Sequence, residues 1–203
     1  MNFDELKKLA EEGTPEAQYN LGLMYSLGKD ISKDDQAAIK WYQLAAEQGF
    51  AEAQTNLGLM YGKGQGVEQN FDKAVKWYRL AAEQGLAQAQ HNLGVMYGRG
   101  QGVAKDLFES VWWFRLAAEQ GYGQAQYNLG LMFSRGEGVR KDDKEAVKWY
   151  HLSAEQGLPG AQSNLGLMYE KGLGVKQDYI EAHKWFNIAG INGNTTGKKN
   201  ADI

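Results

Sequence analysis

The chain has 203 residues, 43% hydrophobic, 12% aromatic and 23% charged, with a formal net charge of −3. That composition can bury a core and is not that of a disordered tail. No apolar run approaches the roughly 20 residues that span a bilayer, so no membrane span is expected. A slightly acidic balance lacks the clustered Lys and Arg that nucleic acid requires, so no nucleic-acid partner is expected either. Zero cysteines remove disulfides, thiolate metal sites and a cysteine nucleophile together. The first residues carry no apolar leader, which points to the cytoplasm, or to the periplasm or outside only if a leader was removed.

In chain order, residues 2–12 open with a capping helix. Leu6 and Leu9 face inward, and Asp4, Glu5, Lys7, Lys8, Glu11 and Glu12 stay in water. Then the chain repeats itself. Asn-Leu-Gly begins at Asn20, Asn56, Asn92, Asn128 and Asn164, 36 residues apart each time. Met24, Met60, Met96, Met132 and Met168 keep step, as do Trp41-Tyr42, Trp77-Tyr78, Trp113-Phe114, Trp149-Tyr150 and Trp185-Phe186. An internal period outranks any local signal. It divides the chain into a cap over 1–13, repeats over 14–49, 50–85, 86–121, 122–157 and 158–193, and a tail over 194–203.

Each repeat reads as two helices. In the first, Ala17, Leu21, Met24 and Tyr25 form an apolar stripe of helical period, which stops at Gly28 and its counterparts Gly64, Gly100, Gly136 and Gly172. A Gly-x-Gly-Val loop follows in four copies. Asp106, Asp142 and Asp178 stand three residues before Glu109, Glu145 and Glu181, a pattern resembling a capping box. The second helix turns Ala38, Trp41, Tyr42 and Ala45 to one face and closes at Gly49. Gly22 recurs in mid-helix in all five copies, where glycine costs about 0.5–1 kcal/mol relative to alanine. Close approach of the paired helices explains it, Gly22 facing Ala38 with Trp41 filling the groove beside them. One pair cannot bury its stripe alone, so the pairs stack. The fold class expected is all-α, a right-handed α/α superhelix (solenoid) of five 36-residue helix-turn-helix repeats.

The run Ala-x-x-Asn-Leu-Gly-x-Met-Tyr-x-x-Gly-x-Gly-Val-x-x-Asp, followed by Ala-x-x-Trp-Tyr-x-x-Ala-Ala-Glu-Gln-Gly, resembles the Sel-one-like repeat family, cousins of tetratricopeptide repeats, over residues 14 to 193. The resemblance implies a non-enzymatic scaffold or adaptor of bacterial type that binds a protein or extended peptide in its concave groove. It also implies an alternative, since cysteine-rich bacterial members bind or hydrolyse β-lactams. This chain departs from those in having no cysteine. A third reading is an architectural, self-assembling solenoid.

Opposite the core stripe, Glu16, Asn20, Leu23 and Leu27 share an outward face. Stacking turns each position into a column: Asn20, Asn56, Asn92, Asn128, Asn164; Leu23, Leu59, Val95, Leu131, Leu167; and Lys63, Arg99, Arg135, Lys171. Asparagine offers both donor and acceptor, so the ladder either clamps the backbone of a bound peptide or bonds the neighbouring repeat's backbone and holds the stack. The cations either meet a partner or complement the helix dipole. Beside the ladder, Tyr19, Thr55, His91, Tyr127 and Ser163 vary, which marks a specificity position. In the third repeat Phe108 and Trp112, four apart, form an outward aromatic patch for a second contact or for self-association.

No catalytic motif stands out. Gly-x-Ser-x-Gly, His-Glu-x-x-His and the phosphate-binding Gly-x-x-x-x-Gly-Lys-Ser/Thr are all missing. Ser26-Leu27-Gly28-Lys29 fits Ser-x-x-Lys but spans a helix C-terminus. His91, His151 and His183 lie in different repeats, His183 reading as a semi-buried packing residue, so no metal or cofactor is expected. Asn194-Thr195-Thr196 fits a glycosylation acceptor without a leader to support it.

Overall fold

The computed structural model describes residues 3–28 and 31–193. Among them are eleven helices and no strand, as the 36-residue period predicts. The chain divides into two compact units, residues 1–105 and 106–203. The first holds α1 (Phe3–Glu11), α2 (Pro15–Leu27), α3 (Asp35–Glu47), α4 (Ala51–Lys63), α5 (Phe71–Glu83) and α6 (Ala87–Arg99). The second holds α7 (Leu107–Glu119), α8 (Gly123–Arg135), α9 (Asp143–Glu155), α10 (Pro159–Lys171) and α11 (Tyr179–Ile191). Within each unit every helix packs on the one before it and the one after it. Lys29 and the Asn194-Thr195-Thr196 triplet lie outside the described residues.

Side-chain caps start the second helices. Asp34, Asp106, Asp142 and Asp178 each accept two backbone N–H bonds in the first turn, and Asn70 accepts one from Lys73. The reciprocal half of a capping box does not form at Asp142 or Asp178. Their own N–H groups donate instead to the Phe133 and Tyr169 carbonyls of the preceding first helix, at 3.0 Å each. Glu145 and Glu181 are left to pair with Lys148 and Lys184. The cap therefore locks helix start and helix pair with one residue. First helices stop at glycines in the left-handed region, Gly28 to Gly172, with φ between 65 and 72°.

The mid-helix glycine does mark close approach, but its partner is the aromatic ring one residue beyond the tryptophan. A Cβ on Gly58 would stand 2.8 Å from Tyr78 Cδ1 and 3.2 Å from the Ala74 carbonyl. Tyr42, at 2% exposure, meets Gly22 in the same way, whereas Trp41 is only half-buried. A 3.6-residue period puts both rings near the seam and does not say which of two adjacent residues enters it.

Two further expectations are corrected. Leu9 is exposed and Ala10 is buried in its place, because positions 6 and 10 share a face of α1. His183 is exposed, with Nδ1 3.0 Å from Asn187 Nδ2. Its counterparts Ile39, Val75 and Val147 are buried on helices that a following first helix covers, and among the described residues none follows α11.

A buried amide system runs through both units. Gln18, Gln54, Gln90, Gln126 and Gln162 donate Nε2 to the carbonyls of Ala10, Ala46, Ala82, Ala118 and Ala154, all in last turns of the preceding helix. Their Oε1 atoms accept from Gln48, Gln84, Gln156 and Asn192 at repeats one, two, four and five. Helix C-termini leave carbonyls unsatisfied, and these glutamines fill part of that need from the next repeat.

Candidate functional site

α2, α4 and α6 carry the predicted columns in the first unit, and α8 and α10 carry them in the second. Asn20, Asn56 and Asn92 are half-buried, as are Asn128 and Asn164. Lys63 and Arg99 are exposed, as are Arg135 and Lys171. Arg135 pairs with Glu137 at 3.8 Å, while Lys63, Arg99 and Lys171 have no ion-pair partner among the described residues. At the variable position Tyr19, His91 and Tyr127 are half-buried, but Thr55 and Ser163 are buried, with Thr55 Oγ1 donating to the Ala51 carbonyl at 2.9 Å.

The asparagines also reach back to the preceding pair. The Asn56 amide faces the hydroxyls of Tyr42 and Tyr19, and the Asn164 amide faces that of Tyr150. The Tyr42 and Tyr150 hydroxyls each have a hydrogen-bond partner 3.1 Å away, Ser26 and Ser134. Tyr19 leans on Tyr42 and Phe50 with ring centres 5.8 and 5.2 Å apart, and Tyr127 approaches Tyr150 at 6.2 Å. Burial raises the Tyr42 and Tyr150 hydroxyls above the ordinary tyrosine value, and these hydrogen bonds offset part of the rise.

In the first unit α4, α5 and α6 border an open pocket of about 530 Å³. Tyr78, His91 and Asn92 line it beside the cations Lys63 and Arg99, and Leu59, Val95 and Met96 supply apolar wall. The His91 Nδ1 atom lies 3.4 Å from Asn92 Oδ1, and burial holds the imidazole below its ordinary pKa, so it is neutral at pH 7. His91, Asn92, Lys63 and Arg99 belong to the columns read from the period, whereas Tyr78 does not. The signal was Gly62, standing where Ser26 and Ser134 stand in their repeats.

Phe108 and Trp112 on α7 stand 76% and 50% exposed, with Trp112 edge-on to buried Trp113 at 4.3 Å. Ser26, the serine of Ser-x-x-Lys, bonds the Leu23 carbonyl at 3.0 Å besides Tyr42, which is a packing role. Among the described residues no group of His, Asp and Glu is arranged to hold a metal, and no helix is long and apolar enough to cross a membrane.

Capped helix pairs in phase at 36 residues define a helical repeat protein of the solenoid class. The Sel1 repeat family matches residues 15–50, 51–86, 87–122, 123–158 and 159–194, so the chain belongs to that family. Its members are in general non-catalytic scaffolds for protein interactions. A Sel1 repeat protein from Oxalobacter formigenes is similar over 99% of this chain and 78% of its own, at 41% identity and a TM-score of 0.87. A protective antigen present in uropathogenic Escherichia coli strains, with an SLR fold, is 39% identical over 99% of this chain, which spans 51% of the antigen's length, at a TM-score of 0.62. The cysteine rich protein B of Helicobacter pylori is 26% identical over 64% of this chain and 92% of its own, at a TM-score of 0.51. No curated protein matches the chain significantly.

Proposed function

We propose that the chain is a non-enzymatic interaction scaffold whose first-helix faces bind an extended segment of a protein partner. The observation that carries this reading is the exposed pair Lys63 and Arg99, without an ion-pair partner among the described residues, beside half-buried Asn92 at an open pocket. A primary amide has two donor hydrogens and two acceptor lone pairs, so Asn56 and Asn164 have the capacity to hold a ligand's backbone. Asn20, Asn92 and Asn128 complete the ladder on their own units. Tyr19, His91 and Tyr127 set specificity, and Lys63, Arg99, Arg135 and Lys171 flank the bound chain. The test is an affinity capture with the intact chain beside an Asn92→Ala/Asn128→Ala variant that melts alike. A partner held by the first and lost by the second is expected, and an identical set of partners would overturn the assignment.

The exposure of Phe108 and Trp112 favours a second contact patch on α7. Trp112→Lys should abolish a contact or an oligomer formed there. Unchanged partner binding and unchanged mass in solution would refute it.

A further inference from the structure

Every buried tyrosine hydroxyl of this ring position has a helper, with one exception. Tyr42 has Ser26, and Tyr150 has Ser134, each at 3.1 Å. Where the equivalent ring is phenylalanine, at 114 and 186, the serine position holds Gly98 and Glu170, which matches a ring with no hydroxyl to serve. Tyr78 keeps its hydroxyl, yet the serine position is Gly62, and the Asn92 carbonyl oxygen lies against His91. Tyr78 is 4% exposed, lines the pocket, and has no hydrogen-bond partner among the described residues. Burial accordingly raises its pKa with nothing to offset it. The buried polar atoms without a partner among the described residues are the Nε1 atoms of Trp113, Trp149 and Trp185, so the Tyr78 hydroxyl oxygen, which has no protein partner either, opens into the pocket and can donate to a ligand there.

The missing serine is not forced by crowding. A Cβ on Gly62 would meet Ala74 Cβ at 3.6 Å and the Tyr78 hydroxyl oxygen at 3.8 Å, ordinary contact distances. Glycine there keeps open the volume that a serine fills in repeats one and four. Around that volume stand the Tyr78 O–H, the Asn92 amide, Lys63 and Arg99, together with Gln69, His91 and Gln101, and no Asp or Glu is among the lining residues. Leu59, Val95 and Met96 form an apolar wall beside them.

We propose that this pocket takes the carboxylate of a glutamate side chain on the partner segment, its methylenes on Leu59, Val95 and Met96 and its head accepting from Tyr78 and Asn92 beneath Lys63 and Arg99. The assignment rests on the binding-face reading above and adds the residue class that the face selects. Charge-assisted hydrogen bonds to a carboxylate are stronger than neutral ones, so a pocket lined by an O–H, an amide and two cations, with no acid, discriminates glutamate from glutamine.

The test uses the intact chain and a displayed library of random peptides with amidated C-termini. Selected peptides should fix a glutamate at one position. In fluorescence anisotropy, Glu→Gln in such a peptide should weaken binding about tenfold or more, the scale of one charge-assisted hydrogen bond. Tyr78→Phe, a ring the chain already carries at 114 and 186, should cause a similar loss for the glutamate peptide and little for the glutamine peptide. Gly62→Ser should weaken binding as well while raising the melting temperature, because it gives Tyr78 the serine partner that Ser26 is to Tyr42. Peptides that bind without an acidic preference, or whose affinity changes less than about twofold in both variants, would overturn the pocket assignment and leave the binding face standing. A selected peptide that ignores Glu→Gln and binds more tightly when resynthesised with a free C-terminal carboxylate would overturn it too. Failure to select any peptide would overturn the face reading and this assignment together.

Discussion

Gln54 offers the sharpest test of how one repeat holds the next. Its side chain is 3% exposed, with Nε2 3.0 Å from the Ala46 carbonyl and Oε1 2.8 Å from Gln84 Nε2. Gln54→Met keeps the length and roughly the volume while deleting both bonds. Neither partner is fully stranded, since the Ala46 carbonyl also accepts from the Gly49 N–H at 3.0 Å and Gln84 also donates to the Leu80 carbonyl at 3.2 Å. Two net hydrogen bonds at about 0.5–1.5 kcal/mol each set the loss at about 1–3 kcal/mol. For a chain of this size that lowers the melting temperature by about 2–12 °C. The assay is thermal melting by circular dichroism with guanidinium unfolding beside it. Exposed Gln88→Met is the control, expected to stay within about 0.5 kcal/mol. If Gln54→Met melted with the control, the glutamine system would carry no stability and the reasoning would fail.

Other outcomes follow from the same contacts. Gly58→Ala gains about 1 kcal/mol of helix propensity but drives a methyl against the Tyr78 ring, an overpacking that costs about 1–3 kcal/mol, so net destabilisation is expected in a urea melt and a more stable variant would contradict the contact. Asp142→Ala removes the cap on Lys144 and Glu145 N–H and should cost about 1 kcal/mol, whereas Asp142→Asn should nearly keep it. Buried Tyr42, Tyr78 and Tyr150 have folded pKa values raised above 10.0, so their contribution is whole below pH 10 and is lost as pH rises through the raised values. Phenolate absorbance should lag behind that of free tyrosine until the helices melt; full titration at the ordinary value with the fold intact would contradict their burial. For His91 the folded pKa is lowered, so its contribution is present above about 6.5 and is lost as pH falls. His91→Thr, the residue at equivalent Thr55, should flatten that acid slope in a series of melts.

Much of the fold was legible because one signal repeats five times. The period placed the helix pairs, the αL glycines and three of the Asp caps from composition-blind spacing alone. What spacing does not encode is which of two neighbouring side chains meets a partner. Hence spacing puts Trp41 in the seam that Tyr42 fills, and Leu9 inside where Ala10 lies. His183 shows the other gap, since a column is buried only where another helix covers it. The glutamine system escaped notice because a polar residue reads as surface in a single copy, although its recurrence at 18, 54, 90, 126 and 162 matched that of the asparagines. For the candidate site, the columns were readable from the period, and the open hydroxyl of Tyr78 was not. It emerges only when the copies are compared at the Ser26 position and the ring opposite is known.

The binding face is tested most directly by removing its free charge. Partner capture by the intact chain should be compared with Lys63→Gln/Arg99→Gln, two exposed residues whose neutral replacement should leave melting nearly unchanged. Loss of the captured partner with an unaltered melt is the expected result. Retention of the same partner at the same affinity would contradict the claim that this face binds it.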